Sequence, residues 1–172
     1  MINVILSGAN GHMGKVIASL AENDPDIRIC AGFDINNMPG DGFPVYKNPF
    51  EYTGEADVII DFSHPSAFQE LTKYAKERKL PTIFATTGLS DEQKKELHAL
   101  AADIPVFFSA NMSLGVNLLI DLVKRAAAAL QGFDIEIIEK HHNRKIDAPS
   151  GTALAIADSI SEVRLNSEYM YD

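Results

Sequence analysis

Ile2-Asn3-Val4-Ile5-Leu6, then Gly8-Ala9-Asn10-Gly11-His12-Met13-Gly14, then a helix-forming run from Lys15 to Ala21: this opening decides the fold. The apolar, β-branched run reads as a buried strand, and the glycines after it read as a tight turn into a helix. Glycine lets a backbone turn sharply and approach a pyrophosphate, whose charge the free N–H groups of a helix start then stabilise. The spacing is G-x-x-G-x-x-G rather than the commoner G-x-G-x-x-G, so a purely structural turn is the competing reading. The order of strand, turn and helix favours dinucleotide binding by Gly8, Ala9, Asn10, Gly11, His12 and Met13.

Outward from that turn, the chain alternates strand and helix. Ile27 to Phe33 reads as a second strand ending at Asp34, twenty residues after Gly14, where such folds place a carboxylate on the adenosine ribose. Asn36 to Pro49 is a loop with room for one short strand. Asp57 to Phe62 is a third long strand closed by Ser63-His64-Pro65, and Ser66 to Lys79 has helical periodicity. His64, next to Pro65, reads as a turn residue rather than a catalyst. Thr82 to Ala85 and Pro105 to Phe108 are further strands, separated by a helix that Ser90 caps and that runs to about Ala102. Leu114 to Leu130 is a long amphipathic helix whose apolar positions read as core packing, and Phe133 to Ile138 reads as a strand. The pattern predicts an α/β fold: a Rossmann-like, doubly wound parallel sheet over residues 1–112, followed by the start of a second, α+β domain over 113–172. Ligands of such sheets bind beyond the carboxyl ends of the strands, which here are the turns at Ala85-Thr86-Thr87 and at Ser109-Ala110-Asn111-Met112.

Composition narrows the function. With 172 residues and 46% hydrophobic content, the chain can bury one good core or one domain and part of another. A net charge of −9 with no long basic block argues against nucleic acid as a partner. A single cysteine, Cys30, excludes a disulfide framework, fits a reducing cytoplasm, and reads as a small buried hydrophobe. No apolar run reaches the length of a membrane span, and the first residues lack the pattern of a signal peptide.

The chemistry concentrates in Glu139-Lys140-His141-His142-Asn143-Arg144-Lys145-Ile146-Asp147-Ala148-Pro149-Ser150-Gly151-Thr152, a polar loop between the 133–138 run and a helix over Ala153 to Ile160. Pro149 before Ser150-Gly151-Thr152 suits a helix entry, where a hydroxyl caps the first turn and backbone N–H groups can hold a carboxylate or phosphate. His141 and Lys145 lie just upstream, so a proton donor and an anion clamp can share one pocket. A metal site is not expected, because adjacent histidines on a strand point to opposite faces and no cysteine or second carboxylate stands at ligand spacing. A serine hydrolase is not expected either, because Ser150 lacks the G-x-S-x-G nucleophile elbow.

From Ile135 through His141-His142, Lys145 and Asp147 to Ala153, this segment closely resembles the signature of the 4-hydroxy-tetrahydrodipicolinate reductase family of diaminopimelate and lysine biosynthesis. Asp61-Phe62-Ser63-His64-Pro65 and Ser109 to Asn117 resemble other elements of that family, and the likeness runs over essentially the whole chain. The resemblance implies an NAD(P)H-dependent reduction of a cyclic unsaturated imine. His141 or Lys145 would supply the proton, and His142, Ser150, Gly151 and Thr152 would hold a dicarboxylate substrate. Asp147 and Glu139 would orient the loop. The Thr86-Thr87-Gly88 turn would lie against the nicotinamide side of the cofactor, with Ala85 among the cofactor-binding residues. Members that accept NADPH tend to carry Arg after the ribose-binding acid and Arg at the position of His12. Here Ile35-Asn36-Asn37 follow Asp34, so NADH is the expected donor, with NADPH as a second one. The family is a homotetramer and continues well beyond the length of this chain, so a C-terminal truncation that leaves the 133–138 strand without partners is expected. A catalytically inactive dinucleotide-binding fragment or sensor is the alternative reading. A different dehydrogenase is disfavoured by the His141 to Thr152 segment.

Overall fold

Ile5 and Leu6, neighbours on the central strand β1 (Ile2–Ser7), are both fully buried but belong to different cores, because successive side chains of a strand point to opposite faces. The computed structural model describes residues 1–40, 42–109, 111–143, 148–165 and 167–171. They fall into two units, Met1–Ala110 and Asn111–Asp172.

The first unit is built on a six-stranded sheet in the order β3-β2-β1-β4-β5-β6, parallel at every pairing. Its strands are β1, β2 (Ile27–Phe33), β3 (Val45–Tyr46), β4 (Val58–Asp61), β5 (Thr82–Phe84) and β6 (Val106–Phe108). The chain winds outward from β1 in both directions, so the sheet is the doubly wound one expected, and its switch point lies between β1 and β4. On one face Ile5, Phe33, Ile59 and Phe84 pack with Phe68, Leu71 and Tyr74 of α2 (Phe68–Arg78) and with Leu97 and Leu100 of α3 (Asp91–Leu100). On the other face Leu6, Ala9, Phe43 and Val45 pack with Ile17 and Ala18 of α1 (His12–Glu22). Near-continuous apolar strands are what a sheet covered on both faces requires.

Two local devices hold the edges. Ser90 and Gln93 form a reciprocal capping box at the start of α3, and the Gln93 amide also donates to the Pro65 carbonyl at 3.2 Å. The Arg78 guanidinium donates to the carbonyls of Tyr52 and Gly54, and the Tyr74 hydroxyl donates to the Tyr52 carbonyl at 3.0 Å. Burial pushes the Tyr74 phenol up from its ordinary value, and the adjacent Arg78 opposes that. Cys30 is half-buried, and its thiol meets the Val4 carbonyl at 3.3 Å.

The second unit holds α4 (Leu114–Ala129) and α5 (Gly151–Ser161), which pack on each other. Ser113 and Ser150 cap them, accepting from the N–H groups of Val116 and Ala153. The Lys124 ammonium pairs with Glu162, and Arg164 holds the carbonyls of Gln131 and Phe133. Two expectations are corrected here. Residues 134–140 form no strand, because a strand needs a hydrogen-bonded neighbour and none pairs with them among the described residues. The apolar stripe of α4 is also not a filled core: Ala127 is its one buried residue, and Leu118, Leu119 and Leu122 stay about half exposed. Among the described residues no helix is long and apolar enough to cross a membrane.

Candidate active site

The glycine turn earns its residues by contact. Gly8 has a left-handed φ of +78°, and a Cβ there would lie 2.6 Å from the Phe62 carbonyl oxygen. At Gly14 a Cβ would lie 2.2 Å from the Gly8 carbonyl oxygen, so the first turn of α1 rests directly on the loop. Gly11 is different: it is exposed, and its nearest neighbour to a Cβ would be the Gly8 oxygen at 3.1 Å. It is also the N-cap of α1 and offers no side chain to the helix start. The N–H groups that open α1 are therefore left to solvent or ligand, which suits an anion. His12 and Met13 begin the helix and are exposed, whereas Ala9 is buried.

Asp34 sits just past β2 and ties two loops together. Its carboxylate accepts the Asn10 N–H at 3.0 Å and the Asn36 N–H at 2.9 Å. The Asn10 side chain donates to the carbonyls of Asn36 and Met38, at 2.5 and 2.9 Å. The expected ribose-binding acid is thus held at the edge of the glycine turn, and Asn10 acts as a staple between that turn and the loop after β2.

Beyond β4 and β5 stands a feature that the sequence reading passed over. The Asp61 carboxylate, 2% exposed, accepts the Ser63 N–H at 3.1 Å and the Thr86 hydroxyl at 2.6 Å. A buried charge needs such partners, and here they lock the turns after two neighbouring strands to each other. An acid ending an apolar strand, as Asp34 also does, was the available signal. Ala85 and Thr86 are buried, the Ala85 N–H donates to the Asp61 carbonyl at 2.8 Å, and Thr87 is exposed. The Ser109 N–H donates to the Phe84 carbonyl at 3.0 Å, which sets the turn after β6 beside the one after β5. His64 caps a short 3-10 turn, its ring nitrogen accepting from the Ser66 N–H, in keeping with a turn residue. Ala110 lies outside the described residues.

In the second unit the Asn111 side chain accepts the Ser113 N–H at 2.9 Å, and its carbonyl accepts from the Asn117 amide. Met112 is exposed. Of the polar segment, Glu139, His141 and Ser150 are brought together. Glu139 accepts the Ser150 N–H at 2.7 Å and the Ser150 hydroxyl, and lies 3.7 Å from Nδ1 of His141. Ser150 is 4% exposed, and its N–H and hydroxyl both meet the Glu139 carboxylate. Gly151 and Thr152 are exposed and occupy the first helical positions of α5, where N–H groups have no partner within the helix. His142 is exposed too. Lys145 and Asp147 lie outside the described residues. Among the described residues no group of three His, Cys, Asp or Glu side chains could hold a metal ion.

Both parts of the chain resemble known proteins. Residues 2–112 match the family model described as Dihydrodipicolinate reductase, N-terminus, and residues 115–170 match Dihydrodipicolinate reductase, C-terminus. The 4-hydroxy-tetrahydrodipicolinate reductase of Caldanaerobacter subterraneus subsp. tengcongensis is 55% identical over 172 residues, covering 99% of this chain and 68% of the relative. That of Clostridium tetani is 44% identical over 173 residues, with the same coverage of 99% and 68%. A solved structure, dipicolinate-bound dihydrodipicolinate reductase from Paenisporosarcina sp. TG-14, superposes with a TM-score of 0.82 at 30% identity, covering 99% of this chain and 69% of that one.

Proposed function

Because the chain belongs to the dihydrodipicolinate reductase family, we propose that it reduces 4-hydroxy-tetrahydrodipicolinate to tetrahydrodipicolinate with a reduced nicotinamide dinucleotide: the 4-hydroxyl leaves as water, and the unsaturated imine so formed takes up one hydride and one proton. The observation that carries this reading is the second unit. Glycine turns of the Rossmann kind are shared by many dehydrogenases. The match of residues 115–170, where Glu139 stands between His141 and the Ser150 cap of α5, is not.

The dinucleotide fits the residues present. An uncapped helix start and a Gly11 with little around it make room for a pyrophosphate, and Asp34, bonded to the Asn10 N–H, stands beside that turn for a ribose. Gly8 to Met13, Asp34, Ala85 to Thr87 and Ser109 to Met112 would hold it, and when bound it supplies the hydride. We take NADH as the preferred donor. A 2′-phosphate would come against the Asp34 carboxylate, and the following Ile35-Asn36-Asn37-Met38 carry no cation to offset it.

The Paenisporosarcina relative binds dipicolinate, a ring with two carboxylates. In this chain the N–H groups of Gly151 and Thr152 and the Thr152 hydroxyl would receive one carboxylate, with Ser150 holding the turn in place. His142 and Lys145 would steady the substrate, Lys145 as a compact movable cation. The proton that accompanies hydride reaches the carbon next to the one reduced, from His141 or Lys145. Self-association belongs to the same reading, since α4 presents Leu118, Leu119 and Leu122 about half exposed; sedimentation would measure it.

The test is NADH oxidation by the purified chain with freshly generated substrate, read beside NADH binding. Lys145→Ala is expected to lower kcat roughly 100- to 10,000-fold and to leave NADH affinity unchanged. Binding without turnover in the unaltered chain would reduce it to a dinucleotide-binding module.

A further inference from the structure

The Glu139 carboxylate is where the polar segment converges. Oε1 accepts the Ser150 N–H at 2.7 Å, Oε2 accepts the Ser150 hydroxyl, and the same Oε2 lies 3.7 Å from Nδ1 of His141. Ser150 Oγ in turn accepts the Ala153 N–H at 3.1 Å, so the first turn of α5 hangs from this carboxylate through its cap. The Glu139 side chain is 27% exposed and that of His141 39%, which leaves the imidazole a face toward solvent or ligand.

A neutral imidazole has one N–H and one lone pair, and what faces each nitrogen decides which is which. A lone pair on Nδ1 would be set against a negative oxygen, whereas an N–H there is attracted to it. Glu139 therefore selects the tautomer with the proton on Nδ1 and leaves Nε2 as the nitrogen able to exchange a proton with a ligand. At 3.7 Å the contact is longer than a formed hydrogen bond. Contacts of this kind commonly tighten once a ligand is in place.

We propose that Glu139 is a positioning residue that holds His141 with its proton on Nδ1, presents Nε2 to the substrate, and fixes that nitrogen to the anion-binding start of α5. The substrate named here rests on the reductase reading above, whereas the tautomer is a property of the chain alone. One carboxylate would thereby set both where a substrate carboxylate is held and where the imidazole stands relative to it.

The experiment uses the full chain labelled with 15N-histidine, with His141→Gln to assign the ring. Long-range 1H–15N spectra are recorded where the imidazole is neutral. Unaltered protein is expected to show Nδ1 protonated and Nε2 bare. Glu139→Gln keeps an oxygen for the Ser150 N–H but can turn an NH2 to the imidazole, and it is expected to shift the population toward Nε2–H. Its kcat should fall roughly 100-fold, the lower end of what a misplaced proton donor loses, with KM for NADH unchanged. Ser150→Ala removes the cap and should lower thermal stability while leaving the tautomer as it was, which separates positioning from mere support. The proposal is overturned if unaltered His141 carries its proton on Nε2, or if Glu139→Gln changes neither tautomer nor kcat. If Glu139→Gln fails to fold, the tautomer of the unaltered chain still decides. Absence of turnover in the unaltered chain would count against the reductase reading, while the spectra would still judge Glu139.

Discussion

Gly14 and Gly11 look alike in the sequence, and the structure gives them opposite duties. Gly14→Ala would drive a methyl to 2.2 Å from a backbone oxygen, and is expected to cost about 3 kcal/mol of stability. Gly11→Ala meets its first atom at 3.1 Å at an ordinary φ, and should fold nearly as well while binding NADH more weakly. Denaturant midpoints and NADH titrations of the two variants would separate the roles; equal stability losses would contradict them. The distance from the glycines singles out Asp34, but its position against Asn10 and Asn36 was not legible, since they meet it only after two loops fold together. Ser150 was legible from its place before Gly151-Thr152, whereas its contact with Glu139, eleven residues upstream, emerges only in the folded chain.

Elements were legible where their signals are local. β2 spans Ile27–Phe33 as expected, and the Ser90 cap with Gln93 three residues on marks the start of α3. The run at 133–138 carries the strand alternation but finds no neighbour to pair with among the described residues, and alternation describes side chains without supplying hydrogen bonds. Between elements, the strut from Asp61 to Thr86 was invisible because it joins residues 25 apart. Thr86→Val removes a donor from a buried carboxylate, with an expected loss of about 1–3 kcal/mol. It should also weaken NADH binding through the turn after β5. Unchanged stability by denaturant titration would show that the carboxylate finds another donor.

At the scale of the molecule, the chain divides into a unit with a filled core on both faces of a sheet and a unit of two helices with much apolar surface exposed. Calorimetry is expected to resolve two transitions. NADH should act chiefly on the one belonging to the sheet, stabilising it by roughly 3 kcal/mol at about 100 times Kd. A single transition that NADH moves as a whole would show the units to be thermodynamically one. The fold class was readable from alternation alone, whereas the division of stability was not, since it depends on which apolar faces find cover. The Asp61 strut has a further meaning over descent. A lineage that lost the acid would leave the hydroxyl at 86 only the Ser63 carbonyl, and one that lost the hydroxyl would leave a buried acid only the Ser63 N–H. Positions 61 and 86 are therefore heritable as a pair, and divergence is expected to replace both or neither.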